Sequence, residues 1–205
     1  MTLPDLAAEA IAVLTGTRWP IGDAPAQVES CPGLYAIYCD EQGHRDLGLS
    51  RDSEADSATD LPIYIGKAET SVLTRDLKDH FAALPGSVAR TGQSTVRRSF
   101  AALLGHQLGL HAVPRNLEKP GYFSMYALAG DGEPRLTAWM HDHLSLAVWP
   151  SPEEMSVTLV DVESALIRHF IPPINIDENP RKLKRLVLAR RAMAAEAREW
   201  RPAQN

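Results

Sequence analysis

A mixed α/β domain of the α+β kind is predicted, on three observations. Short runs of strand composition, Gly33 to Cys39 and Pro62 to Gly66, stand between segments whose apolar residues recur at helical spacing. Proline and glycine punctuate the joints between them. A hydrophobic fraction of 44% and a charged fraction of 23% over 205 residues are those of an ordinary folded chain, which excludes disordered and fibrous classes and fits a single domain over 1–205.

The elements follow in order. Pro4-Asp5 with Leu6, Ala10, Val13 and Leu14 predicts a first helix that leaves at Gly16. A turn-rich stretch around Trp19-Pro20 and Gly22 leads to the strand 33–39. Residues 41–60 are polar and acidic without apolar periodicity, which predicts a long exposed connection. After the strand at 62–66, Val72, Leu73, Leu77, His80, Phe81 and Leu84 give a helical pattern stopped by Pro85-Gly86. Ser94 caps a helix with Val96, Phe100, Leu103, Leu104 and Leu108 on one stripe and Arg97 and Arg98 on its flank. Positive charge in a first turn opposes the helix dipole, and an anion from outside, such as phosphate, would ease the conflict.

Residues 122–128 alternate as a strand, and Pro134 starts a helix through Trp139, Met140 and Leu144, with both Trp139 and Trp149 expected in the core. Val162, Leu166, Ile167 and Phe170 mark a helix that carries Glu163 and stops at Pro172-Pro173. Asn179-Pro180 then begins a basic amphipathic helix with Leu183, Leu186, Val187, Met193 and Ala197 on one side.

Charge is unevenly distributed. The net charge is -5, yet residues 67–119 hold eight Lys/Arg against four Asp/Glu, and 181–201 hold eight against two. The acid sits in 40–60 and 129–163, so one positive face is compatible with an acidic chain. The longest apolar runs, such as Leu144 to Trp149, are far shorter than a membrane span, and the N-terminus lacks a basic, then apolar, leader; no membrane partner and a cytoplasmic location are expected. Two cysteines, Cys31 and Cys39, do not make a disulfide scaffold and are expected to be reduced. His141-Asp142-His143 lacks zinc-site spacing, and neither a nucleotide-binding glycine loop nor a Ser-His-Asp order is present.

Taken singly, a strand tyrosine, a surface cation or a helix carboxylate is ordinary. The order of several is not. Gly33-Leu34-Tyr35 and Tyr64-Ile65-Gly66 lie in the two strands, with Lys67 after the second, Arg75 and His80 on the next helical segment, Glu163 in an E-x-x-L-I helix and Asn175 after Pro172-Pro173. This set resembles the GIY-YIG nuclease superfamily, most closely its stand-alone bacterial forms. The resemblance implies a small, mainly antiparallel sheet flanked by helices over a core of 31–176, with a helical extension at 1–30 and the basic helix at 177–205. It also implies a metal-dependent endonuclease that hydrolyses phosphodiester bonds in DNA.

Each residue then has an implied role. Tyr35 or Tyr64 handles the proton of the attacking water, with Tyr35 favoured as base and Lys67 stabilising phenolate; Arg75 holds a phosphate oxygen through its planar donor fork; His80 assists proton transfer. Glu163 ligates Mg²⁺ (or Mn²⁺), a hard ion that keeps most of its waters. Asn175 ties the end of the Glu163 helix to the first strand. Arg90, Arg97, Arg98, Lys182, Lys184 and Arg185 are the expected nucleic-acid contacts, with double-stranded DNA as partner and a homodimer as one route to cutting both strands. An enzyme for RNA or branched DNA, or a silent binding module, are the alternatives. Two departures stand out: the motif tyrosines are 29 positions apart (64 − 35), and Arg75 to His80 is one residue longer than in many relatives, enough to turn His80 by about 100° on a helix.

Overall fold

The computed structural model describes residues 1–49, 59–72, 77, 78, 80–83, 86 and 90–201. One four-stranded sheet organises them. Its spatial order is β1 (Trp19–Pro20), β6 (Leu144–Pro150), β2 (Gly33–Cys39) and β3 (Tyr64–Ala68), and every neighbouring pair is antiparallel. The apolar run at 144–149 is thus a central strand, paired with β2 along its length from Gly33↔Pro150 to Cys39↔Leu144. A second, two-stranded sheet joins β4 (Ala112–Val113) to β5 (Ala127–Leu128).

All seven β2 residues are buried because alternate side chains enter two different cores. Leu34, Ala36 and Tyr38 meet α1 (Leu3–Leu14) and α5 (Leu159–Phe170) through Leu6, Ala10, Leu14, Val162 and Leu166. Tyr35, Ile37 and Cys39 meet the larger core, to which α3 (Thr95–Leu104), α4 (Gly132–His143) and α6 (Lys184–Glu199) contribute Phe100, Trp139, Met140 and Met193. The sheet is therefore a middle layer between helices, the predicted α+β arrangement. Trp139 and Trp149 are both core residues, as the sequence indicates. Among the described residues no helix is long and apolar enough to cross a membrane.

Local signals explain the helix ends. Ser94 Oγ accepts from the Arg97 amide at 3.1 Å, and Thr158 and Asp161 form a reciprocal box at the start of α5. Four expectations need correction or limits. The stretch 41–60 does not begin as a loop: α2 (Glu41–Asp46) starts at once, its cap supplied by Asp40, which accepts from the Gly43 amide at 2.7 Å, while His44 and Leu47 are buried beneath it. Residues 50–58 lie outside the described residues. Only Ala127–Leu128 of the alternating run 122–128 forms a strand, after a 3₁₀ turn at Phe123–Met125. The C-terminal helix begins at Lys184 and not at Pro180, because Asn179 is held by its own turn: its Nδ2 donates to the Pro172 and Asn175 carbonyls and its Oδ1 accepts from the Arg181 amide.

The largest correction concerns Arg97 and Arg98, expected on an outer flank in contact with nucleic acid. Arg97 is 0% exposed and Arg98 7%. Arg97 is ion-paired with Glu133 at 2.8 Å and also donates to the His80 carbonyl and Thr137 Oγ1. The external anion expected to relieve the basic first turn is, for Arg97, an internal carboxylate. Glu133 also accepts from the Thr91 amide and hydroxyl, so it links the 3₁₀ turn at Thr91–Gln93 to α3 and α4 at one point. Arg98 donates to the Gly92 carbonyl and Thr95 Oγ1. Removing one partner of a buried pair strands the other charge. Glu133→Ala is expected to lower stability by about 3 kcal/mol, and Arg97→Met/Glu133→Leu together by less than the single change; urea unfolding midpoints check both.

Candidate active site

The strand register brings the two motif tripeptides face to face. Tyr35 lies opposite Gly66, Ile37 opposite Tyr64 and Leu34 opposite Lys67. Residues opposite each other in an antiparallel pair share a face, so Tyr35 and Tyr64 point to the large core while Lys67 points to the side of α5. Their ring centroids are 6.0 Å apart. Tyr35 is buried and Tyr64 half-buried.

Gly66 is required by this packing. A Cβ there would sit 2.4 Å from Tyr35 Cζ and Oη and 2.8 Å from Tyr64 Cε1, distances at which neither ring can remain. Gly33 is needed for a different approach, since its Cβ would lie 2.3 Å from the Trp149 carbonyl oxygen. The glycines of the two tripeptides are thus steric provisions, one for the tyrosine rings and one for the neighbouring strand.

His80 is buried with its ring 6.5 Å from that of Tyr35, so the extra residue between Arg75 and His80 does not carry it away from the tyrosines. Leu77 and Lys78 lie in a π-helical turn. Arg75 itself falls outside the described residues, as do the rest of 73–76, 79 and 84 in the helical segment predicted for 72–84.

Across the strand, α5 packs on β3 and presents Glu163, half-buried. Burial pushes its carboxyl up to about 7; Lys67 acts in the opposite direction, and Glu69 and Glu178 add to the rise. Lys67 is itself ion-paired with Glu69, whose carboxyl it draws below the usual range by hydrogen bonding and charge. Glu69 was not singled out from the sequence; its position two residues after Lys67 was the only signal.

Asn175 holds the outer edge of β3. Its Oδ1 accepts from the Ile65 amide at 2.8 Å and its Nδ2 donates to the Ile65 carbonyl at 2.8 Å, while the Ile174 amide donates to the Ile63 carbonyl at 2.9 Å. The tie therefore runs to the second motif strand, not to the first as expected. Before this segment, Ile171 closes α5 in the left-handed region at φ 52°, which is strained for a β-branched residue and turns the chain toward β3.

A divalent ion fits Glu163. Its carboxylate is partly desolvated and feels the negative charge of Glu69 and Glu178, a setting that favours a positive charge beside it. No group of three or more His, Cys, Asp or Glu occurs among the described residues. Of the other expected contacts, Arg90, Lys182, Lys184 and Arg185 are exposed, with the Arg185 guanidinium donating to the Leu47 carbonyl.

Two outcomes follow. The folded chain keeps the Glu163 proton to about pH 7, whereas an unfolded chain releases it near 4.5, so this group's contribution to stability is complete below 4.5 and lost as pH rises through about 7. Glu163→Gln cannot ionise; without divalent ions its Tm is expected to gain on the wild type between pH 5 and pH 8, and a pH-independent difference would contradict the burial. Gly66→Ala is expected to displace the Tyr35 ring and lower Tm, with a change in near-ultraviolet circular dichroism as the check.

Residues 33–192 match the family described as GIY-YIG catalytic domain, a span that runs from the first residue of β2 into α6. No curated protein and no solved structure gives a match. The match covers most of the 205 residues and includes both motif strands, Glu163 and Asn175. The chain belongs to the GIY-YIG catalytic domain family.

Proposed function

We propose that this protein is an endonuclease that hydrolyses phosphodiester bonds in DNA, double-stranded by preference, with Mg²⁺ or Mn²⁺ bound at Glu163 and a cytoplasmic place of work. Family membership supports a nuclease-type function in general, and nucleases of this family generally depend on a divalent metal. The observation that carries the reading is the convergence on one strand pair of Tyr35, Tyr64 and His80 on one side and Lys67 and Glu163 on the other.

The roles follow from what each group can do. Hydrolysis needs a deprotonated water aligned with the leaving oxygen and positive charge against the phosphate. Tyr35 accepts the water's proton, Tyr64 orients the water, and His80, its ring 6.5 Å from that of Tyr35, passes the proton on. Arg75 holds a non-bridging oxygen with its two-pronged guanidinium. A divalent ion, when bound, supplies charge against the phosphate and the leaving oxygen. Glu163 must be ionised to hold that ion, and Lys67 favours the ionised form. Asn175 is a positioning residue that fixes β3 beneath the tyrosines. One such site cuts one strand, so cleavage of both strands needs a second copy of the chain or a second encounter.

Nicking of supercoiled plasmid tests the assignment. The wild type is expected to nick with Mg²⁺ and not with EDTA, and Glu163→Ala and Tyr35→Phe to lose at least two orders of magnitude in rate, the scale of a lost metal ligand or general base. Nicking that survives Glu163→Ala at full rate would overturn the site.

A further inference from the structure

Arg97 and Arg98 are neighbours in sequence and both buried, but only one is neutralised. Arg97 has Glu133. Arg98 has no carboxylate partner among the described residues: it donates to the Gly92 carbonyl at 3.1 Å and Thr95 Oγ1 at 2.9 Å, and its buried Nε finds no acceptor. Further cations surround it. The aliphatic stem of Arg115 lies directly on Gly92, whose added Cβ would come within 2.7 Å of Arg115 Cγ, so Arg98 and Arg115 reach the same glycine from two sides. Arg190 stands on α6 in line with Leu186 and Met193, which that helix buries, and α6 packs on α3; burial, and then the positive charges of Arg190 and Arg115, lower the proton affinity of Arg98.

Like charges gathered around a buried guanidinium are costly unless an anion sits among them. Arg115 is exposed and Arg190 half-buried, and neither has an acidic partner among the described residues. Arg115 also borders an open groove of about 770 Å³ with Arg90, Gln93 and Asn116. Two glutamates touch this groove, Glu133 and Glu118; the first is engaged by Arg97 and Thr91, and the second is exposed. The cluster adjoins the active site: Arg97, the neighbour of Arg98 on α3, donates to the His80 carbonyl at 2.9 Å. Tyr126, whose hydroxyl donates to the Arg98 carbonyl at 2.6 Å, fixes the helix turn that carries it.

We infer that Arg115 and Arg190, backed by the buried charge of Arg98, bind a phosphate group separate from the one at Glu163, and that this group is a backbone phosphate of the nucleic-acid strand flanking the cut. The inference rests on the nuclease reading for the identity of the strand, not for the anion. Phosphate is the fitting ligand because guanidinium forks match its oxygens in pairs, and because contacts of this kind set register without reading bases.

The test uses the full chain carrying Glu163→Gln, so that binding is measured without cleavage, and a short fluorescein-labelled duplex followed by anisotropy over a range of NaCl. Arg115→Gln and Arg190→Gln are each expected to flatten the plot of log Kd against log salt by about one unit, and the double variant by about two. Affinity should fall equally for unrelated duplex sequences, and Arg115→Lys should restore most of the Arg115 effect. Inorganic phosphate, titrated by calorimetry, distinguishes the sources: phosphate binding lost in the double variant while duplex affinity is intact assigns the site to a free phosphate and overturns the strand. An unchanged salt slope together with unchanged phosphate binding, in a double variant with wild-type Tm, overturns the site itself. Should the wild type nick no plasmid while duplex binding still depends on both arginines, the nuclease reading fails, and with it the position beside a cut, while the phosphate site stands.

Discussion

The carboxamide of Asn175 on the backbone of Ile65 is the contact on which the rest of the site depends. β3 is an edge strand, and the outward amide and carbonyl of Ile65 would otherwise have no protein partner on that side. A side chain that donates and accepts at one residue holds the strand in a single position. Because strand side chains alternate, that position decides which residues share a face with Tyr35 and which face α5. A slip by one residue would exchange Lys67 with its neighbours and bury a charge where Gly66 now admits an aromatic ring. Ile171, Pro172 and Ile174 serve the same end by bringing Asn175 from the last turn of α5 to the strand.

Two faces of one strand pair thus hold unlike chemistry. The aromatic side is the more enclosed: Tyr35 and His80 are both 2% exposed, while Tyr64 is half-buried. The carboxylate side is more open, and its charges are arranged so that Glu163 is discouraged from ionising by burial and by Glu69 and Glu178 while Lys67 encourages it. Such a group is poised near neutrality, where a modest change in its surroundings alters its charge.

The sequence displayed the parts of this architecture that depend on local pattern. Gly33-Leu34-Tyr35 and Tyr64-Ile65-Gly66 had strand composition and stood in strands; Ser94 looked like a cap and is one; Pro172-Pro173 follow the end of α5. What escaped was set by tertiary partners. Arg97 and Arg98 carry the same local signature as solvated cations, and only Glu133, 36 residues away along the chain from Arg97, makes the burial of one of them tolerable. The start of α6 was displaced because Asn179 bonds to carbonyls that sequence does not place nearby. The helix Glu41–Asp46 was missed because it is short and amphipathic only in part, although Asp40 offered a cap. His80 shows the opposite case: counting residues on an ideal helix predicts a rotation away from the tyrosines, yet its ring lies 6.5 Å from that of Tyr35.

The closure of the β3 edge has a consequence for how this protein can meet other chains. Exposed sheet edges invite a further strand, from another copy or from an extended peptide. Here Asn175 and the Ile174 amide occupy the backbone groups of Ile63 and Ile65 at one end. At the other end β1 is two residues long, and its Pro20 has no amide hydrogen to offer. Among the described residues this four-stranded sheet is therefore blunt on both sides and resists growth by strand addition, which protects it from edge-to-edge aggregation and directs recruitment of a second copy of the chain to other surfaces.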